Sequence, residues 1–171
     1  SRDIVNAHFS GFLSMLPKES QTNFRFAFGE LIVNALSYAV VGISAEKRDQ
    51  EQQSAAGSLI EVPRDQALEI HLAQDAEKWG LSICDRSGSL TLERVLDKLG
   101  RQLSIGEDQL PIGIDDFSGR GLFLLSRQNR LVINILTGVR TEIIVMHFNE
   151  AHRNTYQSLI INEREPDQQI R

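Results

Sequence analysis

A chain of 171 residues, 41% of them hydrophobic, is the length of one ordinary domain and can bury a core without disulfides or metals. A formal net charge of −5 leaves no basic footprint for a nucleic-acid backbone, and the single cysteine, Cys84, excludes an internal disulfide or a cysteine zinc cluster and fits a reducing compartment. No apolar run approaches the roughly 18 residues that cross a bilayer and no secretory leader is visible, so no membrane partner and a cytoplasmic location are expected.

The opening Ser1-Arg2-Asp3, without methionine, suits a domain excised from something longer. Ile4, Val5, Phe9, Phe12, Leu13 and Leu16 then follow helical spacing up to Pro17, where proline stops the first helix. Ser20 or Thr22 is expected to cap a second helix that runs to about Val41-Gly42. Phe24, Phe28, Leu31, Ala35 and Ala39 mark its core face. Glu30 and Asn34 are four apart on another side of that helix, so a carboxylate and an amide are presented together. By itself the pair reads more readily as a solvated polar flank than as a site.

From Ile43 to Pro63 the composition turns to Glu, Lys, Gln, Ser and Ala, which predicts a mobile loop with a frayed helical extension as its structured variant. Leu68, Ile70 and Leu72, then Trp79, Leu81 and Ile83, alternate with polar or small residues and predict a hairpin of two half-buried strands. Asp85 shares the parity of Trp79, Leu81 and Ile83, so its carboxylate points to the buried side and needs a donor. Two readings stand open there: a ligand supplies the donor, or Asp85 caps the turn Arg86-Ser87-Gly88-Ser89.

Leu92, Val95, Leu96 and Leu99 predict a short helix, and Gly100, Gly106, Pro111 and Gly113 predict a long loop to Ser118 with an apolar Leu110-Pro111-Ile112 insert. Gly119-Arg120-Gly121-Leu122 then opens a helix, and backbone N–H groups at such a start suit an anion, although a lone Gly-x-Gly is a weak signal. A second hairpin turns at Thr137-Gly138, and its second strand, apolar on both faces, is expected at the centre of the sheet. The polar tail from Glu150 to Arg171, with Leu159-Ile160-Ile161, is expected to form a loosely attached helix. His8, His71, His147 and His152 show no ligand spacing, and no nucleophile elbow accompanies the serines. Strands grouped in pairs predict an α+β fold, a two-layer α/β sandwich with a mixed, mostly antiparallel sheet and helices on one face.

Glu30-x-x-x-Asn34-Ala35 on a helix, Asp85-x-x-Gly88 at a strand end, Gly119-Arg120-Gly121-Leu122 at a helix start and Thr141-Glu142 on a late strand stand in a distinctive order. That order resembles the ATP-binding superfamily shared by gyrases, histidine kinases and heat-shock chaperones, and within it the bacterial anti-sigma factor serine kinases. The resemblance covers about Ile4 to Phe148. It implies the Bergerat ATP-binding fold over residues 1–149, with a mobile insertion at about 43–63, a lid at about 100–118 and residues 150–171 as a tail. It implies ATP and Mg2+ as cofactors, with Asn34 holding the metal against the phosphates and Glu30 activating the attacking hydroxyl. Asp85 would accept from the adenine amino group, Gly88 would lie under the ring and Thr141 would reach the same region. Gly119, Arg120, Gly121 and Leu122 would meet the phosphates. The implied partners are an anti-sigma factor antagonist as phosphoacceptor, a sigma factor, and a second copy in a homodimer.

The intact Glu30–Asn34 pair favours the kinase, whereas departures from the family pattern at Ser87, Ser89 and Arg140 favour an alternative, a protein-interaction module of the same fold with weak or no phosphoryl transfer. Tyr38 stands where the family often has His, Ser87 and Ser89 flank a shifted Gly88, and Arg140 precedes Thr141 where Gly is usual.

Overall fold

The computed structural model describes residues 2–36, 67–113, 120–149 and 158–166. The expected insertion at 43–63, Tyr38, the end of the second helix near Val41-Gly42, Gly119 and the last residues of the expected lid lie outside the described residues.

Helices α1 (Arg2–Met15) and α2 (Lys18–Asn34) meet at Pro17. The expected caps are not used: α2 starts two residues before Ser20, which is buried inside the helix, and Thr22 is likewise helical. Pro17, at φ −52° and ψ 144°, sets the chain direction into the helix, and its carbonyl accepts from the N–H of Ser20 (2.9 Å) and Gln21 (3.2 Å). Proline's fixed φ does the work that a side-chain cap does elsewhere. The buried stripe of α2 is Phe24, Ala27 and Leu31. Phe24 contacts Phe9 and Phe12 of α1, with ring centroids 5.4 and 5.1 Å apart, and meets Trp79 of the sheet edge-on at 5.1 Å.

The strands are β1 (Glu69–Gln74), β2 (Lys78–Asp85), β3 (Arg130–Leu136), β4 (Arg140–Phe148) and β5 (Ser158–Arg164), ordered β1-β2-β4-β3-β5. Both expected hairpins form, and β4 is central as its two apolar faces require. All pairs are antiparallel except β3 with β5. One face of the sheet buries Trp79, Leu81, Ile83, Leu131, Ile133 and Val145 under the helices. On the other face Ser82 Oγ donates to Glu142, Asn134 Nδ2 donates to the second oxygen of Glu142, and Asn162 Nδ2 donates to Asn134, all at 2.9–3.0 Å. A polar ladder on one side and an apolar core on the other define the α+β two-layer arrangement.

The tail corrects an expectation. Residues 158–164 are not a helix; Leu159 and Ile161 pair in parallel with Leu131 and Ile133, and Thr137 N–H donates to Arg164 at 3.0 Å. The open edge of β3 offers unpaired backbone groups, and a β-branched run satisfies them better than a solvated helix would.

Among the described residues, helices α3 (Leu92–Leu103) and α4 (Arg120–Gln128) complete the helical layer. Helix α3 passes through Gly100, where a loop was expected. The reason is that the following segment returns to its end: Gln102 Nε2 donates to the Gly113 carbonyl at 2.5 Å, and the N–H groups of Gly113 and Ile112 donate to Arg101 and Ser104. The two backbone bonds satisfy carbonyls that a fraying helix end leaves open. Among the described residues no helix is long and apolar enough to cross a membrane.

Candidate functional site

The site begins where β2 ends. Asp85 pairs across the strands with Thr141 of β4, so two residues 56 positions apart in sequence become neighbours on the inner face. Asp85 Oδ1 accepts from the N–H (2.9 Å) and the hydroxyl (2.7 Å) of Ser87, and the Ser89 hydroxyl lies 3.0 Å from that of Ser87. The turn-capping reading of Asp85 is therefore realised, and it uses one carboxylate oxygen. Asp85 also lines a cavity on this face of the sheet.

Four elements bring expected residues to that cavity: Asn34 from the last turn of α2, Asp85 from β2, Leu122 from α4 and Thr141 from β4. Leu31, Ala35, Ile83, Leu90 and Ile143 add an apolar lining. Thr141 is 2% exposed, and its Oγ1 has no hydrogen-bond partner among the described residues. An unpaired buried hydroxyl costs about 1–3 kcal/mol. A ligand in the cavity is a natural partner for it.

Other expected residues sit elsewhere. Gly88 does not line the cavity; it has φ +55°, its carbonyl accepts from Gly138 N–H at 3.0 Å, and a Cβ there would lie 2.7 Å from the Gly138 carbonyl carbon. The turn after β2 packs against the β3–β4 hairpin turn, which only a glycine in the left-handed region allows. Glu30 does not line the cavity either: its carboxylate lies over Gly121, so close that a Cβ on Gly121 would be 2.6 Å from the Glu30 carboxyl carbon. Gly121 is thus buried under Glu30 rather than open to a phosphate, and Arg120 is exposed at the start of α4.

Sequence reasoning missed Arg94 and Lys98, which line the cavity from consecutive turns of α3. The available signal was their spacing of four, each one residue before the buried Val95 and Leu99. Cys84, next to Asp85, is buried, and burial pushes its thiol above the usual range. Among the described residues no group of three or more His, Cys, Asp and Glu side chains is placed to hold a metal. The chain matches no protein-family model, and no curated protein shows significant similarity to it.

Proposed function

We propose that the cavity binds ATP and that the protein is a Mg2+-dependent serine/threonine kinase of the anti-sigma factor type, acting in the cytoplasm. The observation that carries this reading is the convergence of Asn34, Asp85, Leu122 and Thr141, from four separate elements, on one cavity with an orphaned hydroxyl. The apolar lining suits a flat base, the second oxygen of Asp85 suits an exocyclic amino donor, and Thr141 Oγ1 gains a partner. Asn34 fits magnesium, which needs only one or two protein oxygens beside phosphates and retained water; when bound, the ion supplies charge neutralisation across the phosphates.

In the transfer, the hydroxyl oxygen of a serine or threonine on an anti-sigma factor antagonist bonds to the γ-phosphorus. The bond from that phosphorus to the bridging oxygen breaks, and ADP leaves with the electron pair. Glu30 takes the hydroxyl proton. A sigma factor and a second copy of the chain are the further partners of this reading.

The placement of Glu30 over Gly121, outside the cavity lining, favours a second reading: a binding module of the same fold that holds nucleotide or partner without transfer. Calorimetry with ATP and GTP, with and without magnesium, followed by phosphotransfer assays on candidate antagonist proteins, separates them. Asp85→Asn keeps Oδ1 for Ser87, so the turn survives, but turns the other oxygen into a donor; ATP affinity is expected to fall about 10- to 100-fold and GTP affinity much less. Equal ATP affinity in wild type and variant removes Asp85 from the site. In Glu30→Gln, binding is expected to persist while transfer drops about 10²–10⁴-fold. ATP binding by wild type with no transfer above background selects the second reading, and no ATP binding sinks both nucleotide readings.

A further inference from the structure

The described lining of the cavity holds two cations to which the proposed chemistry assigns no role. Among the described residues that line it, Asp85 is the one carboxylate, whereas Arg94 and Lys98 are two cations on successive turns of α3. That helix is pinned at both ends. Thr91 Oγ1 accepts from Arg94 N–H (3.3 Å), Glu163 of β5 accepts from Leu92 N–H (2.9 Å), and Gln102 closes the other end on Gly113. Arg94 Nη1 also lies 3.4 Å from the Ser89 carbonyl, at the cavity rim. The cations are therefore presented by a fixed wall.

The competing place for an anion is the start of α4, where the helix dipole favours negative charge. In this structure the Glu30 carboxylate already lies over Gly121 in that first turn. A phosphate there meets a like charge, while on α3 the side chains that reach the cavity are the cations Arg94 and Lys98, with Glu93 and Asp97 beside them in sequence outside the lining.

We propose that Arg94 and Lys98 form the anion-holding wall of the cavity, and that α3, rather than the start of α4, selects ligands by the length of their phosphate chain. This rests on the nucleotide reading of the same cavity. The phosphate chain lies along α3, the base lies toward Asp85 and the Thr141 hydroxyl, and Asn34 lines the same cavity from α2.

The test is calorimetry on the whole chain in magnesium-free buffer with adenosine, AMP, ADP, ATP and inorganic tripolyphosphate. Wild type is compared with Arg94→Gln, Lys98→Gln, the double variant and Lys98→Arg. Wild-type affinity is expected to rise from adenosine to ATP and to fall steeply with salt. Each Gln variant is expected to lose about tenfold for ATP, the scale of one charge-assisted hydrogen bond at a partly solvated site, with adenosine unchanged. The double variant should show a flattened series and a shallower salt slope, and Lys98→Arg should restore most of the loss. Arg94 is exposed and Lys98 half-buried, so melting temperatures should stay close to wild type. A double variant that keeps the wild-type preference for ATP overturns the α3 wall and leaves the nucleotide reading standing. If tripolyphosphate binds wild type but not the double variant, while no adenine compound binds, the wall stands and the nucleotide reading falls. If neither adenine compounds nor tripolyphosphate bind wild type, both fall.

Discussion

Strand β4 carries a buried polar side chain at each end of its inner face, and the two ends are solved differently. At the far end His147, 5% exposed, has Nδ1 2.8 Å from Asn129 Oδ1, while Asn129 Nδ2 donates to the Leu125 carbonyl at 3.0 Å and the Trp79 ring stacks on the imidazole at 5.3 Å. At the near end Thr141 is as deeply buried, yet its hydroxyl has no partner among the described residues. Orphaned atoms are not confined to one end, since Asn23 Oδ1, Trp79 Nε1 and Thr137 Oγ1 also lack partners among the described residues. Of these four, Thr141 alone lines the cavity that holds Asn34 and Asp85. Polar burial at the far end serves packing, whereas at the near end it leaves a binding capacity open.

The largest effect that sharpens this contrast is Trp79→Ala. Trp79 is 1% exposed between Phe24 and His147, so its removal is expected to cost about 3–5 kcal/mol in denaturant unfolding while the folded fraction keeps its ligand affinity. Lost affinity at full folding would mean that the two ends are coupled. A middle-sized effect is expected for Asn129→Ala, which takes away the hydrogen bonds to His147 and Leu125. About 1–3 kcal/mol of stability should be lost, again read from unfolding curves, and a neutral result would remove the structural role of that cluster. The smallest effect should have the opposite sign: Thr141→Val keeps the shape and deletes an unpaired hydroxyl, so stability should hold or rise by about 1 kcal/mol. Nucleotide affinity should fall in the same variant. A destabilised Thr141→Val would show that the hydroxyl is already satisfied and would end the contrast.

The candidate site was partly legible before the fold was known. The parity of Asp85 along Trp79, Leu81 and Ile83 placed it toward the buried side, and the ladder agrees, with Asp85 partly buried on the cavity wall. Its two competing readings turn out to be compatible, because a carboxylate has two oxygens and the turn uses one. Gly88 was misplaced for a physical reason. Sequence shows that a glycine allows positive φ but not which backbone comes close, and here it is the hairpin at Gly138 and Val139. Arg94 and Lys98 went unread because a pair of cations flanking an apolar stripe is usually a solvated helix face.

By itself the sequence determined what depends on neighbours a few residues apart: α1 and its stop at Pro17, the apolar stripe of α2, the alternation of both hairpins and the centrality of β4. Only the tertiary structure decided what depends on partners far apart in the chain. It drew residues 158–164 onto the free edge of β3, carried α3 through Gly100 by bonding Gln102 to Gly113, and laid Glu30 over Gly121. Above all it set Asp85 beside Thr141 and turned α3 toward them, because strand register and helix docking are fixed by long-range pairing and burial that no local periodicity contains.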